Sequence, residues 1–174
     1  MAPDTPAPPA PAPAPSPSDD RHAIETLIMT YAERVDLGDF AGVADLFAHA
    51  TYRAGSGDAV HTQTGAAAVR ATFEAMVRRY PDGTPRTKHV TTNVVIDLAG
   101  DVAAARSYYL VLQQTDDLPL QPIIAGRYHD RFERVGGDWR FADRLIFSDL
   151  IGDLGHHLRH DPFAPAPGAT RPTD

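Results

Sequence analysis

Four runs rich in β-branched and aromatic residues fill the second half of the chain, and nothing else constrains the fold as strongly. They span residues 87–98, 102–115, 122–135 and 139–151. Ala99-Gly100-Asp101, a polar loop around Asp116-Asp117 and Gly136-Gly137-Asp138 lie between them. Turn-forming residues between strand-forming runs predict a meander of antiparallel strands. Strands this long exceed the common length of about 5–6 residues and must twist and curl.

The first half has a different period. Ile24, Leu27, Ile28, Tyr31 and Val35 recur at helical spacing, which predicts an amphipathic helix with one buried stripe. Ser18 and Asp19 offer N-caps and Asp20 an acidic first turn, while Leu37-Gly38 should end the helix. Asp39 caps a short second helix carrying Phe40, Val43, Leu46 and Phe47. Residues 50–54 and 59–64 read as short strands around a turn at 55–58. Residues 66–80 read as a third helix, with Val69, Phe73, Met76 and Val77 inward, stopped by Pro81-Asp82-Gly83. Helices first and strands afterwards predict an α+β fold. The expected form is a cone-shaped, strongly curved, mixed or antiparallel sheet, with about three N-terminal helices closing a cavity.

Composition narrows the function. The net charge of -7 argues against a nucleic-acid surface, because phosphate contacts need clustered Lys and Arg. With no cysteine, disulfides and thiolate chemistry are excluded. No apolar run approaches the ~20 residues of a membrane span. Prolines interrupt the N-terminal segment where a signal peptide needs a continuous apolar stretch, and a cytoplasmic location is expected. Most of the 16 prolines sit at the two ends. Residues 1–19 and 161–174 are therefore expected to be disordered Pro-rich arms, leaving residues 20–160 as one domain.

The stretch Thr87-Lys88-His89-Val90-Thr91-Thr92-Asn93 opens the first long strand. Histidine is the side chain whose unperturbed charge change lies near neutrality. Strand alternation puts His89, Thr91 and Asn93 on one face, either lining a pocket or facing solvent. Asp36, in the last turn of the first helix, sets a negative charge at the negative end of the macrodipole. Such a position suggests a use other than helix stability; an Asx-type bond in the Leu37-Gly38 turn is the structural alternative. An imidazole, a carboxylate that fixes its tautomer, and phenols such as Tyr31 and Tyr52 make a complete acid–base set.

Other polar residues have simpler readings beside the functional one. Asp130 and Arg144 fall on adjacent strands and read as an ion pair, buried or at a pocket mouth, with substrate contact as the alternative. Asn93 can donate to a ligand oxygen or satisfy a sheet edge. His156, His157 and His160 read as a solvated surface patch rather than a metal site, since no nearby glutamate completes the zinc-protease pattern.

Several stretches carry a wider resemblance: Tyr31-Ala-Glu-Arg-Val-Asp36-Leu-Gly-Asp39-Phe40, Leu46-Phe47, Tyr52, Arg86-Thr-Lys-His89-Val-Thr-Thr-Asn93, Gly126-Arg-Tyr128-His-Asp130 and Gly137-Asp-Trp139-Arg-Phe141. Their order and spacing resemble the SnoaL-like branch of the nuclear transport factor 2-like superfamily, over residues 20–151. The resemblance implies an α+β cone, commonly dimeric, with a ligand cavity between sheet and helices. Within that superfamily, Tyr31, Asp36 and His89 look like the tyrosine–aspartate–histidine set of bile-acid 7α-dehydratases. Asp36, Tyr52 and His89 match positions used by scytalone dehydratase. The second active-site histidine of scytalone dehydratase falls near Ile123, and a tyrosine beside its aspartate is replaced by Val35. The late-strand arginine of the bile-acid enzymes falls near Ser148.

Two functions follow as expectations. One is a cofactor-independent acid–base enzyme, a dehydratase, isomerase or cyclase, acting on a hydrophobic oxygenated small molecule such as a steroid- or polyketide-like ring. His89, Asp36, Tyr31 and Tyr52 are its expected catalytic residues, and Asn93, Asp130 and Arg144 its substrate contacts, with no metal. The other is a non-catalytic ligand-binding dimer, or the small subunit of a ring-hydroxylating dioxygenase. A homodimer or trimer through the exposed sheet face is expected, with no nucleic-acid or membrane partner.

Overall fold

A computed structural model describes residues 16–56 and 59–160. Among these residues the chain forms α1 (Pro17–Asp36), α2 (Phe40–Leu46), β1 (Thr51–Ser56), β2 (Ala59–Thr64) and α3 (Ala66–Met76). Four long strands follow: β3 (Thr87–Ala99), β4 (Val102–Thr115), β5 (Leu118–Val135) and β6 (Asp138–Ile151). Residues 1–15 and 161–174 of the expected arms, and residues 57–58 of the expected turn, lie outside the described residues.

α1 starts slightly earlier than its spacing predicted. Ser16, not Ser18 or Asp19, is the cap: the Asp19 N–H donates to Ser16 Oγ at 3.3 Å and the Ser16 N–H donates to the Asp19 carboxylate at 2.9 Å. Pro17 suits the first helical position because its fixed φ is already helical and its missing N–H is not needed there. Ile24, Ile28, Tyr31 and Val35 are buried as the stripe required, with Leu27 at its partly buried edge. The chain then turns through Gly38 at φ +71, where a Cβ would stand 2.2 Å from the Gly83 carbonyl oxygen. Only glycine permits both that backbone and that approach.

α3 stops at Met76 rather than running to Tyr80. Val77 is extended and forms a bridge to Leu158. The Arg78 N–H donates to the His157 carbonyl and the Arg159 N–H to the Met76 carbonyl, each at 2.8 Å. Backbone pairing with a distant segment overrides the helical period of the sequence. That segment, residues 152–160, carries the histidines expected to form a solvated surface patch. Instead it straps back over the domain, with Leu154 and His157 buried.

The sheet order is β2-β1-β6-β5-β4-β3, with β1 parallel to β6 and the other neighbours antiparallel. Register shifts interrupt β3–β4, β4–β5 and β5–β6, and each such bulge bends a strand and adds twist. The sheet is therefore curved without closing on itself. Its inner face holds the core, where Phe47 stacks on Phe141 at 5.0 Å and Phe132 meets Phe141 at 4.7 Å. The α+β cone expectation holds. No helix among the described residues is long and apolar enough to cross a membrane.

Candidate active site

Two elements far apart in sequence meet at the edge of this core. Asp36 is the last residue of α1 and His89 lies in the first turn of pleat on β3. The side chains of both are only 8% exposed. His89 Nδ1 lies 2.6 Å from Asp36 Oδ1, the His89 backbone N–H donates to Oδ2 at 2.8 Å, and the Thr87 hydroxyl donates to Oδ1 at 2.7 Å. The helix end is thus tied to the strand through a single carboxylate, and the Asx turn is not what Asp36 makes.

Burial pushes the Asp36 carboxyl up, but the bonds and charge from His89 and the Thr87 hydroxyl more than offset it and hold the group below its ordinary value. An ionised Asp36 can only accept, so Nδ1 of His89 carries the proton. Nε2 is left as the free basic nitrogen, on a ring that lines a cavity.

That cavity measures about 190 Å³ and lies between the curved sheet, α1 and α3. Val35, Phe73, Met76, Ile146 and Leu154 make its wall chiefly apolar. Tyr31 and Tyr52 also line it, with their hydroxyls 3.2 Å apart. Burial raises the pKa of both phenols, most strongly Tyr52, so each stays a protonated donor. A buried base and two protonated phenols therefore line one apolar chamber, with the ionised orienting carboxylate directly behind the base. Such a chamber can abstract a proton, hold it, and stabilise an oxyanion.

A model of the SnoaL-like domain matches residues 16–145. The chain belongs to the SnoaL-like family. No curated protein matches it in sequence, whereas solved structures match its fold. An NTF2-like protein with a cystatin-like fold from Novosphingobium aromaticivorans is 21% identical, over 76% of this chain and 83% of that one, at a TM-score of 0.63. A scytalone dehydratase-like protein from the same organism is 23% identical over 87% and 95%, at 0.63. A protein assigned there as the β subunit of an aromatic-ring-hydroxylating dioxygenase is 20% identical over 77% and 92%, at 0.64. At these identities the likeness is one of fold.

Within this SnoaL-like cavity the other expected residues take different places. Asp130 and Arg144 are fully buried and pair in two bonds of 2.8 and 2.7 Å. The guanidinium sits 4.2 Å from the Tyr31 ring and 4.1 Å from the Tyr128 ring. Neither member of the pair lines the cavity. They form its foundation, so the expected substrate contact gives way to the ion-pair reading. Asn93 is exposed and has φ 53 at the β3 bulge. The bulge breaks the alternation after Thr91, and Val94 and Ile96 take the inward positions instead. Asn93 therefore does not reach the cavity.

Sequence reasoning gives no site role to several cavity residues, among them Tyr109, Tyr128, Ser148 and His157. The first two carried a signal. Tyr109 falls on the buried alternation of β4 with Ala105 and Val111, and Tyr128 belongs to one of the SnoaL-like stretches. Tyr109 stacks on Tyr128 at 4.5 Å, and its hydroxyl, pushed up to about 12 by burial, donates to the Phe147 carbonyl at 3.2 Å. His157 carried none. The expected solvated histidine patch is dispersed: His157 is buried, His160 is exposed, and His156 lies 3.5 Å from the Thr115 hydroxyl. No group of metal-holding side chains occurs among the described residues.

Proposed function

We propose that this protein is an acid–base enzyme of the dehydratase, isomerase or cyclase type, acting on a compact, hydrophobic, oxygenated molecule. The supporting observation is the 2.6 Å contact between Asp36 and His89, whose ring lines an apolar cavity. His89 Nε2 removes a proton from carbon beside a carbonyl. Asp36 stabilises the resulting imidazolium and fixes its orientation. Tyr31 and Tyr52 donate to the enolate oxygen as it gains charge. In an elimination the C–O bond then breaks, and the proton on His89 leaves with the hydroxyl as water; in an isomerisation it returns to a different carbon. No step in this scheme calls on a metal or an organic cofactor. Drug-sized ligands occupy pockets of roughly 300–1,000 Å³, so a cavity of about 190 Å³ favours one or two fused rings over a full steroid.

The fold likeness to a dioxygenase β subunit supports a second reading, a non-catalytic partner subunit. In that reading the His–Asp pair serves only to tie the end of α1 to β3. Under either reading the outer sheet face, where Val90, Val95 and Tyr108 are exposed, is the surface for a homodimer or trimer. Mass spectrometry of small molecules retained by the purified protein, followed by turnover assays on what is found, tests the enzyme reading. Turnover that survives both His89→Ala and Asp36→Asn rejects it.

A further inference from the structure

We infer that His157 is a second catalytic imidazole: a neutral N–H donor, delivered by the C-terminal strap, to the substrate oxygen that gathers negative charge while His89 carries the proton. This rests on the acid–base reading above.

The strap is built rather than draped. It leaves β6 with the Gly152 N–H donating to the Ile123 carbonyl at 2.9 Å, and it is closed internally by Leu158 N–H to the Leu154 carbonyl at 2.8 Å. On the α3 side, Arg78 N–H holds the His157 carbonyl and Arg78 Nε holds the Leu158 carbonyl, both at 2.8 Å. The His156 carbonyl accepts from the Tyr80 hydroxyl, in the loop after α3, at 2.7 Å and from Gln113, on β4, at 3.1 Å. The backbone on both sides of His157 is therefore fixed. Leu154, His157 and Leu158 wall the same cavity as His89.

The ring itself is treated differently from its backbone. It is 8% exposed, and its Nδ1 has no hydrogen-bond partner among the described residues. Buried polar groups are nearly always bonded; with Nδ1 shut off from solvent as well as unpartnered, the N–H that this cavity-wall ring can offer a ligand is the one on Nε2. Burial first, and then the charge of His89, push His157 down to about 4, with Asp36 opposing. Near neutrality the ring is uncharged, and a proton gained by His89 makes a second cation still less favourable. The two imidazoles are thereby assigned different tasks: His89 with its carboxylate takes the proton, and His157 without one can only share an N–H. A neutral histidine of lowered pKa can polarise an oxygen in this way.

The test compares two probes of similar shape, 4-nitrophenol above its own ionisation and nitrobenzene. Binding is measured by titration to wild type, His157→Leu and His157→Gln. His157→Leu should weaken the phenolate by about tenfold or more, a typical hydrogen bond's worth, and leave nitrobenzene unchanged. His157→Gln, which keeps an N–H, should recover much of the loss. Unchanged nitrobenzene binding also shows that the strap and cavity still fold. Equal loss of both probes in His157→Leu, or no loss of either, overturns the inference, and so does a wild-type protein that ignores the phenolate. If turnover is lost in His89→Ala but the phenolate binds His157→Leu as it binds wild type, the acid–base reading stands without His157. If His157→Leu weakens the phenolate while turnover survives His89→Ala, the donor stands and the His89 base is what fails.

Discussion

Two buried carboxylates each hold a nitrogen donor in this domain, and they serve opposite ends. Asp130 meets Arg144 beneath the cavity, both in two directed bonds and both shut away from solvent. Asp36 meets His89 at the cavity wall, where the carboxylate also ties down the Thr87 hydroxyl and the His89 main chain. An arginine cannot give up its proton in a protein, so the Asp130–Arg144 pair is a permanent charge. It steadies the rings of Tyr31, Tyr128 and Phe141 around it. A histidine can exchange its proton near neutrality, so the same kind of carboxylate contact becomes a reactive one. The chemistry of the partner, more than depth of burial, separates scaffold from site.

Substituting one member of each pair separates the two roles most clearly. On a substrate found among the retained molecules, Asp36→Asn should lower turnover by roughly 10⁴-fold, since it leaves the imidazole in the wrong tautomer. Its stability should change by no more than about 1–2 kcal/mol. Asparagine still accepts from Thr87, and it relieves a negative charge at a helix C-terminus. Urea unfolding and turnover measured on one preparation decide the matter. A collapsed fold with proportionate loss of activity places Asp36 with the scaffold.

Arg144→Met should do the reverse. Removing one partner strands Asp130 as an uncompensated buried charge and should cost about 3–5 kcal/mol. Replacing both, Asp130→Leu with Arg144→Met, should return most of that stability, because an apolar pair needs no desolvated charge. Denaturation midpoints of the single and double variants give the coupling directly. If the single variant is as stable as wild type, the pair is not the foundation the geometry describes.

How much of this was legible beforehand varied by region, for physical reasons. β4 was readable to the residue because one face is buried and the other exposed, and side chains alternate without interruption from Ala103 to Val111. Asp36 and His89 were visible as a pair through the family's spacing and through a charge placed against the helix dipole. Asn93 was misplaced because a bulge adds a residue without leaving a mark in composition. The end of α3 and the position of His157 were invisible for one shared reason. Both depend on a bridge between Val77 and Leu158, a contact across a long stretch of chain that no local pattern encodes.

Acid titration tells His157 from Asp36, because the two act in different windows. His157 is ordinarily half-protonated near 6.5 and is held to about 4 in the folded protein. Between those values the unfolded chain binds more protons, so stability is complete above the upper value and drains away as pH falls to the lower. The gap corresponds to roughly 3 kcal/mol at most. Asp36 is lowered from 3.8, so its contribution is present above that value and is lost only at lower pH. Thermal midpoints across this range should fall on acidification in wild type. His157→Leu should flatten the upper part of the curve and leave the steep acid limb. A curve unchanged by the substitution means that His157 is already charged or solvated in the folded state.

The smallest effect comes from the outer face of the same strand that carries His89. Asn93 holds φ 53 beside an outer groove with Arg106, Tyr108 and Arg127. Asparagine tolerates the left-handed region, whereas a β-branched residue there is strained by about 1–2 kcal/mol. Asn93→Val should therefore lower the unfolding free energy by that amount while turnover per folded molecule stays the same. The combination matters more than either number. His89 and Asn93 are four residues apart on one strand, yet the bulge puts only the first in the chamber. A fall in turnover with stability intact would mean that Asn93 meets the substrate and that the boundary between the two faces has been drawn in the wrong place.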